Sequence, residues 1–130
     1  TQQESRWKRL NRGVDAYWPV GKKNTYPVES IIHRPGLPLC IPASRLLRPY
    51  RPTELFLNKM KIARINEEMN RAASNNEVYH LWWHPHNFGI NTDENIAALE
   101  QVIGHFVRMR DLHGMASRTM LDSVTAGVNR

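Results

Sequence analysis

Residues 78–89 read Val78-Tyr79-His80-Leu81-Trp82-Trp83-His84-Pro85-His86-Asn87-Phe88-Gly89. The run over 77–84 carries apolar side chains at both parities: Val78, Tyr79, Leu81, Trp82 and Trp83. A strand without alternation is expected where helices cover both faces of a parallel sheet. The pattern therefore predicts a central strand over 77–84, ended by Pro85, and a loop over 85–91. His80, Trp82 and His84 share parity, so on a strand their side chains leave one face. His84 falls at the C-terminal end of the strand, where parallel α/β folds build their active sites. His86 and Asn87 then overhang the same edge.

Working outward, Pro52 stands where a helix can begin, because the first turn needs no internal N–H partner. A helix is predicted over 53–73, with Leu55, Ile62, Ile65, Met69 and Ala72 as its buried stripe and Asn75-Asn76 as its end. After the strand, Thr92 or Asp93 is expected to cap a second helix, and Asp93 and Glu94 suit its positive end. Its expected stripe is Ile96, Leu99, Ile103, Phe106 and Arg110, flanked by Val102, Val107 and Met109. Gly114 fits the position just past the helix. A short strand over 115–119 and a last helical turn or two over 120–128 should follow. Nearer the start, Trp7, Leu10, Val14 and Tyr17 predict a helix over 3–17, ended by Pro19 and Gly21. Val28, Ile31 and Ile32 suggest a short strand. Residues 37–41 read as an edge strand or extended segment, because Pro38 and Pro42 suit no central strand. Residues 44–52 form a basic, proline-punctuated loop.

Helix–strand–helix–strand order implies right-handed parallel crossovers. Two or three parallel strands leave edges open and faces uncovered. The expected fold is thus α/β, a single partial domain over 1–130 belonging to a larger barrel or sheet with parallel strands.

The 130 residues carry 18 Lys and Arg against 12 Asp and Glu, a net charge of +6. The basic residues are scattered, and no zinc-finger, basic-zipper or RNA-recognition signature is present, which argues against a nucleic-acid partner. A polyanionic glycan or phosphorylated sugar would also suit the charge. Cys40 is the only cysteine. It permits no intrachain disulfide and no Cys-based zinc site, mildly favours a reducing, cytoplasmic setting, and is expected to be a small buried hydrophobe. No apolar run approaches the roughly 18 residues of a membrane span. Residues 1–11 are polar and charged, unlike a signal peptide.

Three readings of the histidine cluster compete. His84 suits a general acid or base, with His86 and Asn87 orienting it or touching substrate, because imidazole titrates near neutrality. A three-histidine zinc site would need His80, but His80 and His84 are roughly 13 Å apart on a strand at ~3.3 Å per residue. His84 and His86 remain open as a ligand pair if another segment supplies the rest. The third reading is structural, with satisfied histidines in a crowded core. Elsewhere, Arg45 and Arg48 are candidates to grip a phosphate or carboxylate of substrate, against a plain solvated loop.

Leu81-Trp82-Trp83-His84 resembles the last motif of the polysaccharide deacetylase superfamily, a Leu-x-x-His at the end of a late barrel strand. The fuller run from His80 to Gly89 is similar to the branch found with bacterial surface-polysaccharide genes. So are Ile41-Pro42-Ala43-Ser44-Arg45 with Leu47-Arg48-Pro49, and Arg118-Thr119-Met120. The resemblance implies a deformed (β/α) barrel and a divalent metal, usually zinc, held by one Asp and two His. It also implies an Asp base and, at the position of His84, a general acid that protonates the departing amine. The paired-Asp motif is absent, and His80-x-x-x-His84-Pro85 only mimics the spacing of the earlier metal motif. The chain is therefore expected to be the C-terminal portion of such a barrel. It should act on a glycan only with the missing N-terminal part of the barrel and hold no metal tightly alone. The alternative is a non-catalytic α/β interaction module with structural histidines.

Overall fold

The computed structural model describes residues 24–31 and 40–123. The helix expected over 3–17, the edge strand over 37–39 and the chain beyond 123 lie outside the described residues.

Two long helices dominate, and each forms where the apolar spacing said it would. A 3₁₀ turn at Pro52–Glu54 leads into α1, Leu55–Asn75. Asn76 closes α1 in the left-handed conformation (φ 54°), donating its N–H to the Ala72 carbonyl, a role asparagine tolerates better than most side chains. The second helix, α2, is Thr92–His113, and Gly114 (φ 70°) ends it with its N–H on the carbonyl of Arg110 at 2.9 Å. The capping expectation at its start is corrected. Asn91 occupies the cap position in a left-handed conformation without a side-chain cap bond, and the Thr92 hydroxyl instead donates back to the Phe88 carbonyl at 2.8 Å.

Between and before the helices the strands are short. β1 is Tyr26–Pro27, β2 is Arg45–Leu46, β3 is Glu77–Val78 and β4 is Leu81–Trp82. β1 pairs antiparallel with β3, Tyr26 opposite Val78. β2 pairs parallel with β4, Arg45 opposite Leu81 and Leu46 opposite Trp82. The chain thus runs strand, helix, strand through β2, α1 and β4.

The single strand expected over 77–84 is divided in two at Tyr79-His80. The reason is a contact with another segment: the His80 carbonyl accepts the N–H groups of both Ser44 and Arg45, while its own N–H donates to the Ser44 hydroxyl. No residue of 77–84 is fully buried, and Trp83 and His84 are exposed, so the expected two-sided cover is absent at its end. Residues 28–31 form a 3₁₀ turn rather than a strand. Residues 115–119 are not a strand either; they lead into a helical turn over 120–123. There Asp122 accepts from the Thr119 hydroxyl and Thr119 N–H, a reciprocal cap. Cys40 is exposed, not buried.

The core joins Leu47 after β2 to Ile62, Ile65 and Met69 of α1 and Ala98, Val102 and Met109 of α2. Tyr79, Leu81, Phe88 and Leu99 close around it. The α1 stripe is as expected except at Leu55, which is 62% exposed in the first turn. On α2 the stripe is one position off: Asn95, Ala98, Val102, His105 and Met109 are buried, while Ile96 and Ile103 are 42% and 51% exposed. The buried polar members tolerate this because each is hydrogen-bonded. His105 offers Nε2 to Asn70 Oδ1 at 2.7 Å and Nδ1 to the Arg108 guanidinium at 2.8 Å. Burial, seconded by the Arg108 charge, holds the imidazole below its ordinary pKa of 6.5.

Candidate active site

Because β2 and β4 are parallel, the chains that leave them emerge at one end of the pair. The Leu47 N–H on the Trp82 carbonyl, 2.9 Å, extends the pairing one step beyond Leu46. Arg48 and His84 therefore leave the pair at the same edge. His84 is extended (φ −98°, ψ 123°), and Pro85 starts a 3₁₀ turn, Pro85–Phe88, that folds the chain back over it. The Asn87 N–H donates to the His84 carbonyl at 3.0 Å, which fixes that return.

The His84 ring is exposed but not isolated. The Trp82 indole meets it edge to face, centroids 5.0 Å apart and planes at 88°. The His86 ring stacks with it, centroids 5.0 Å apart and planes at 26°. The same-face placement of Trp82 and His84 is thus observed, and the turn brings His86 to them. Trp83, at the other parity, stacks parallel to Phe88 with centroids 6.4 Å apart. Asn87, within the turn, is half-buried.

His80 is engaged elsewhere. Its Nδ1 faces the Pro42 carbonyl at 3.2 Å, an atom that can only accept, so Nδ1 carries the proton. His80 thereby belongs to the anchoring of 42–45 and not to the exposed pair.

Arg45, a candidate to grip substrate, is engaged within the fold. The residue is 9% exposed, and its guanidinium grips Glu68 with two bonds, Nε to Oε2 at 2.7 Å and Nη2 to Oε1 at 2.5 Å. Glu68 also accepts from the Tyr79 hydroxyl at 3.0 Å and Asn24 Nδ2 at 3.1 Å, with Arg64 Nε 3.4 Å away. Burial, then the adjacent Glu68 charge, pushes the Tyr79 phenol well above its ordinary range. An arginine so committed cannot also bind a ligand without leaving a buried carboxylate short of its partner.

Arg48 remains at the edge, half-buried, and its backbone is held firmly. Lys61 of α1 donates to the carbonyls of Arg48 and Pro49, each at 2.9 Å, and to Asn58 Oδ1 at 3.0 Å. Asn58 in turn donates to the Arg51 carbonyl at 2.7 Å. From α2, Asn95 accepts the Tyr50 N–H at 2.7 Å and donates to the carbonyls of Ile90 and Asn91, both at 2.9 Å. One side chain thus ties the loop after β2 to the loop after β4. Lys61, Asn58, Asn95 and Glu68 escaped the sequence reading, although each stands at a helical spacing from apolar core positions. A polar residue in step with a buried stripe was the available signal.

A divalent metal held by one Asp and two His does not fit what these residues offer. His84 and His86 are two imidazoles, and among the described residues no three His, Cys, Asp or Glu side chains converge. No helix of the described residues is long and apolar enough to cross a membrane. No family model, curated protein or solved structure matches the chain.

Proposed function

We propose that this chain supplies the late-strand, acid-bearing part of a carbohydrate N-deacetylase of the deformed (β/α)-barrel type, acting on a bacterial surface glycan in the cytoplasm. The observation that carries the reading is the His84 ring, accessible at the C-terminal end of a parallel strand pair and in ring contact with Trp82 and His86. Hydrolysis of an N-acetyl group adds water to the carbonyl carbon and breaks the C–N bond. The nitrogen leaves readily only as a neutral amine, so a proton must reach it as the bond breaks. His84, exposed at that edge, is placed to supply it as the general acid. His86 and Asn87 line the same edge as substrate contacts, and Arg48 offers a cation to an anionic sugar. The base and the metal ligands of such an enzyme would come from residues outside those described.

The test joins this chain to the N-terminal portion of a barrel deacetylase that bears an Asp-Asp motif and measures acetate release from an acetylated oligosaccharide. His84→Ala should lower kcat by about 10²–10⁴ with little change in KM. Unchanged turnover removes His84 from the chemistry. The 130-residue chain alone should release no acetate and bind zinc weakly. Failure of the joined protein to release acetate, with its fold intact, favours the non-catalytic interaction module instead.

A further inference from the structure

Asn95 stands in the first turn of α2 on its buried face, in step with Ala98 and Val102, and is itself 1% exposed. An amide so buried is costly unless its donors and its acceptor are all met. Oδ1 accepts the Tyr50 N–H at 2.7 Å, and Nδ2 donates to the carbonyls of Ile90 and Asn91, each at 2.9 Å. The orientation of the amide follows from these partners, because an N–H only donates and a carbonyl only accepts. The helix does not need this side chain to close its first turn: the backbone N–H of Asn95 already reaches the Asn91 carbonyl at 3.0 Å. The bonds to Tyr50 and Ile90 lie outside the helix and serve the two loops.

The loop over 85–91 depends on such bonds. Pro85, His86 and Ile90 are exposed, while Phe88 packs against the core. Asn91 ends the loop in the left-handed conformation (φ 55°, ψ 51°). The Thr92 hydroxyl holds the Phe88 carbonyl at 2.8 Å, and the Asn95 amide holds those of Ile90 and Asn91. The near end of the same loop is tied to His84, whose carbonyl takes the Asn87 N–H at 3.0 Å. On the other side Tyr50 lies two residues beyond Arg48, in the loop that leaves β2. We infer that Asn95 is a positioning residue of the candidate site: its one planar amide spans the two loops and sets His86 and Asn87 at the His84 edge. The placement stands on the bonds alone, and its effect on turnover rests on the acid role proposed for His84. A displacement of about 1 Å at a reacting edge can lower a rate by about 10²-fold, so a residue that touches no substrate can still govern the chemistry.

Amide exchange of the 130-residue chain tests the placement. Asn95→Asp keeps the acceptor for Tyr50 and loses both donors to Ile90 and Asn91. Exchange at Asn87 and Gly89, whose N–H groups rest on the His84 and His86 carbonyls, should quicken about tenfold, the effect of about one lost hydrogen bond. Tyr50 and mid-helix Ile65 should keep their protection. Asn95→Ala carries no buried carboxylate and loses the acceptor as well, so Tyr50 should quicken along with Asn87 and Gly89. Unchanged exchange at Asn87 and Gly89 in both variants overturns the inference. So does an equal quickening at Ile65, which would make Asn95 a prop of the whole fold. Turnover is read in the joined protein as a cycle with His84→Ala. Asn95→Asp should lower kcat/KM at least about tenfold when His84 is present and by less than about twofold when His84 is already alanine. A purely structural role would produce no such coupling, and equal losses in both backgrounds overturn the role in catalysis. A joined protein that releases no acetate even with His84 and Asn95 intact refutes the proposed reaction, and the exchange pattern then decides the placement by itself.

Discussion

The Lys61 ammonium, rooted in α1, donates to the backbone carbonyl of Arg48 at 2.9 Å and so fixes the chain where it leaves β2. Burial pushes the Lys61 pKa down from 10.5 to about 8; Glu54 opposes the shift, and Arg51 and Arg48 add to it. Between those two values the unfolded chain holds a proton that the folded chain has released. Stability should therefore rise with pH across that window. Urea unfolding of the wild type and of Lys61→Met checks the sign: the rise should be present in the first and missing in the second. A wild-type curve that falls from pH 8 upward contradicts it.

His105 works in the acid range. Its pKa is held below 6.5, so acidification below that value protonates the unfolded chain first. The stability gained from a neutral, buried His105 should be lost as pH falls from 6.5. His105→Gln keeps a donor and an acceptor without the titration, and its stability should depend less on pH in this range. Nitrogen-detected NMR should find the neutral ring protonated at Nε2, the nitrogen facing Asn70 Oδ1.

Glu68→Ala should be the most damaging single change described here. It leaves the buried Arg45 guanidinium without its anion and removes the acceptor of the Tyr79 hydroxyl. Breaking one side of a buried pair costs about 3–5 kcal/mol. Denaturant unfolding measures it, and a loss below about 1 kcal/mol would mean that water reaches Arg45 and replaces the carboxylate.

His80→Ala and His84→Ala should separate cleanly in thermal melts. His80 is half-buried and bonded to the Pro42 carbonyl, so its removal should cost about 1–3 kcal/mol. His84 is exposed, and its removal should stay within about 0.5 kcal/mol. Equal losses in both variants argue that the exposed ring is a structural prop.

Legibility followed locality. The α1 stripe of Ile62, Ile65, Met69 and Ala72 could be read because large apolar residues at three- and four-residue spacing had one buried face to occupy. On α2 the largest side chains, Ile96 and Ile103, pointed the reading to the wrong face, since the core face carries Asn95 and His105. Their burial depends on Tyr50 and Asn70, partners distant in the chain. The break at Tyr79-His80 was equally hidden, because it is made by Ser44 from another segment. At the site, parity put His84 with Trp82 and the proline turn put His86 nearby, both local matters. Nothing local distinguished Arg45, committed to Glu68, from Arg48 at the edge.

The brevity of the strand pairs governs how this molecule comes together and comes apart. Tyr26 must find Val78, and Arg45 must find Leu81, each across a long stretch of chain for only two paired residues. Closing such loops costs entropy that so few ladder bonds cannot repay. The two long helices, whose own ladder bonds are local, should form early in folding, with the strand pairs closing onto them afterwards. In reverse, the β2–β4 junction should be among the first parts to open in the native state. Amide exchange at Leu47, whose N–H rests on the Trp82 carbonyl, should be faster than at mid-helix Ile65 or Val102. The edge that presents His84 would then be a hinge of low local stability on a rigid helical base.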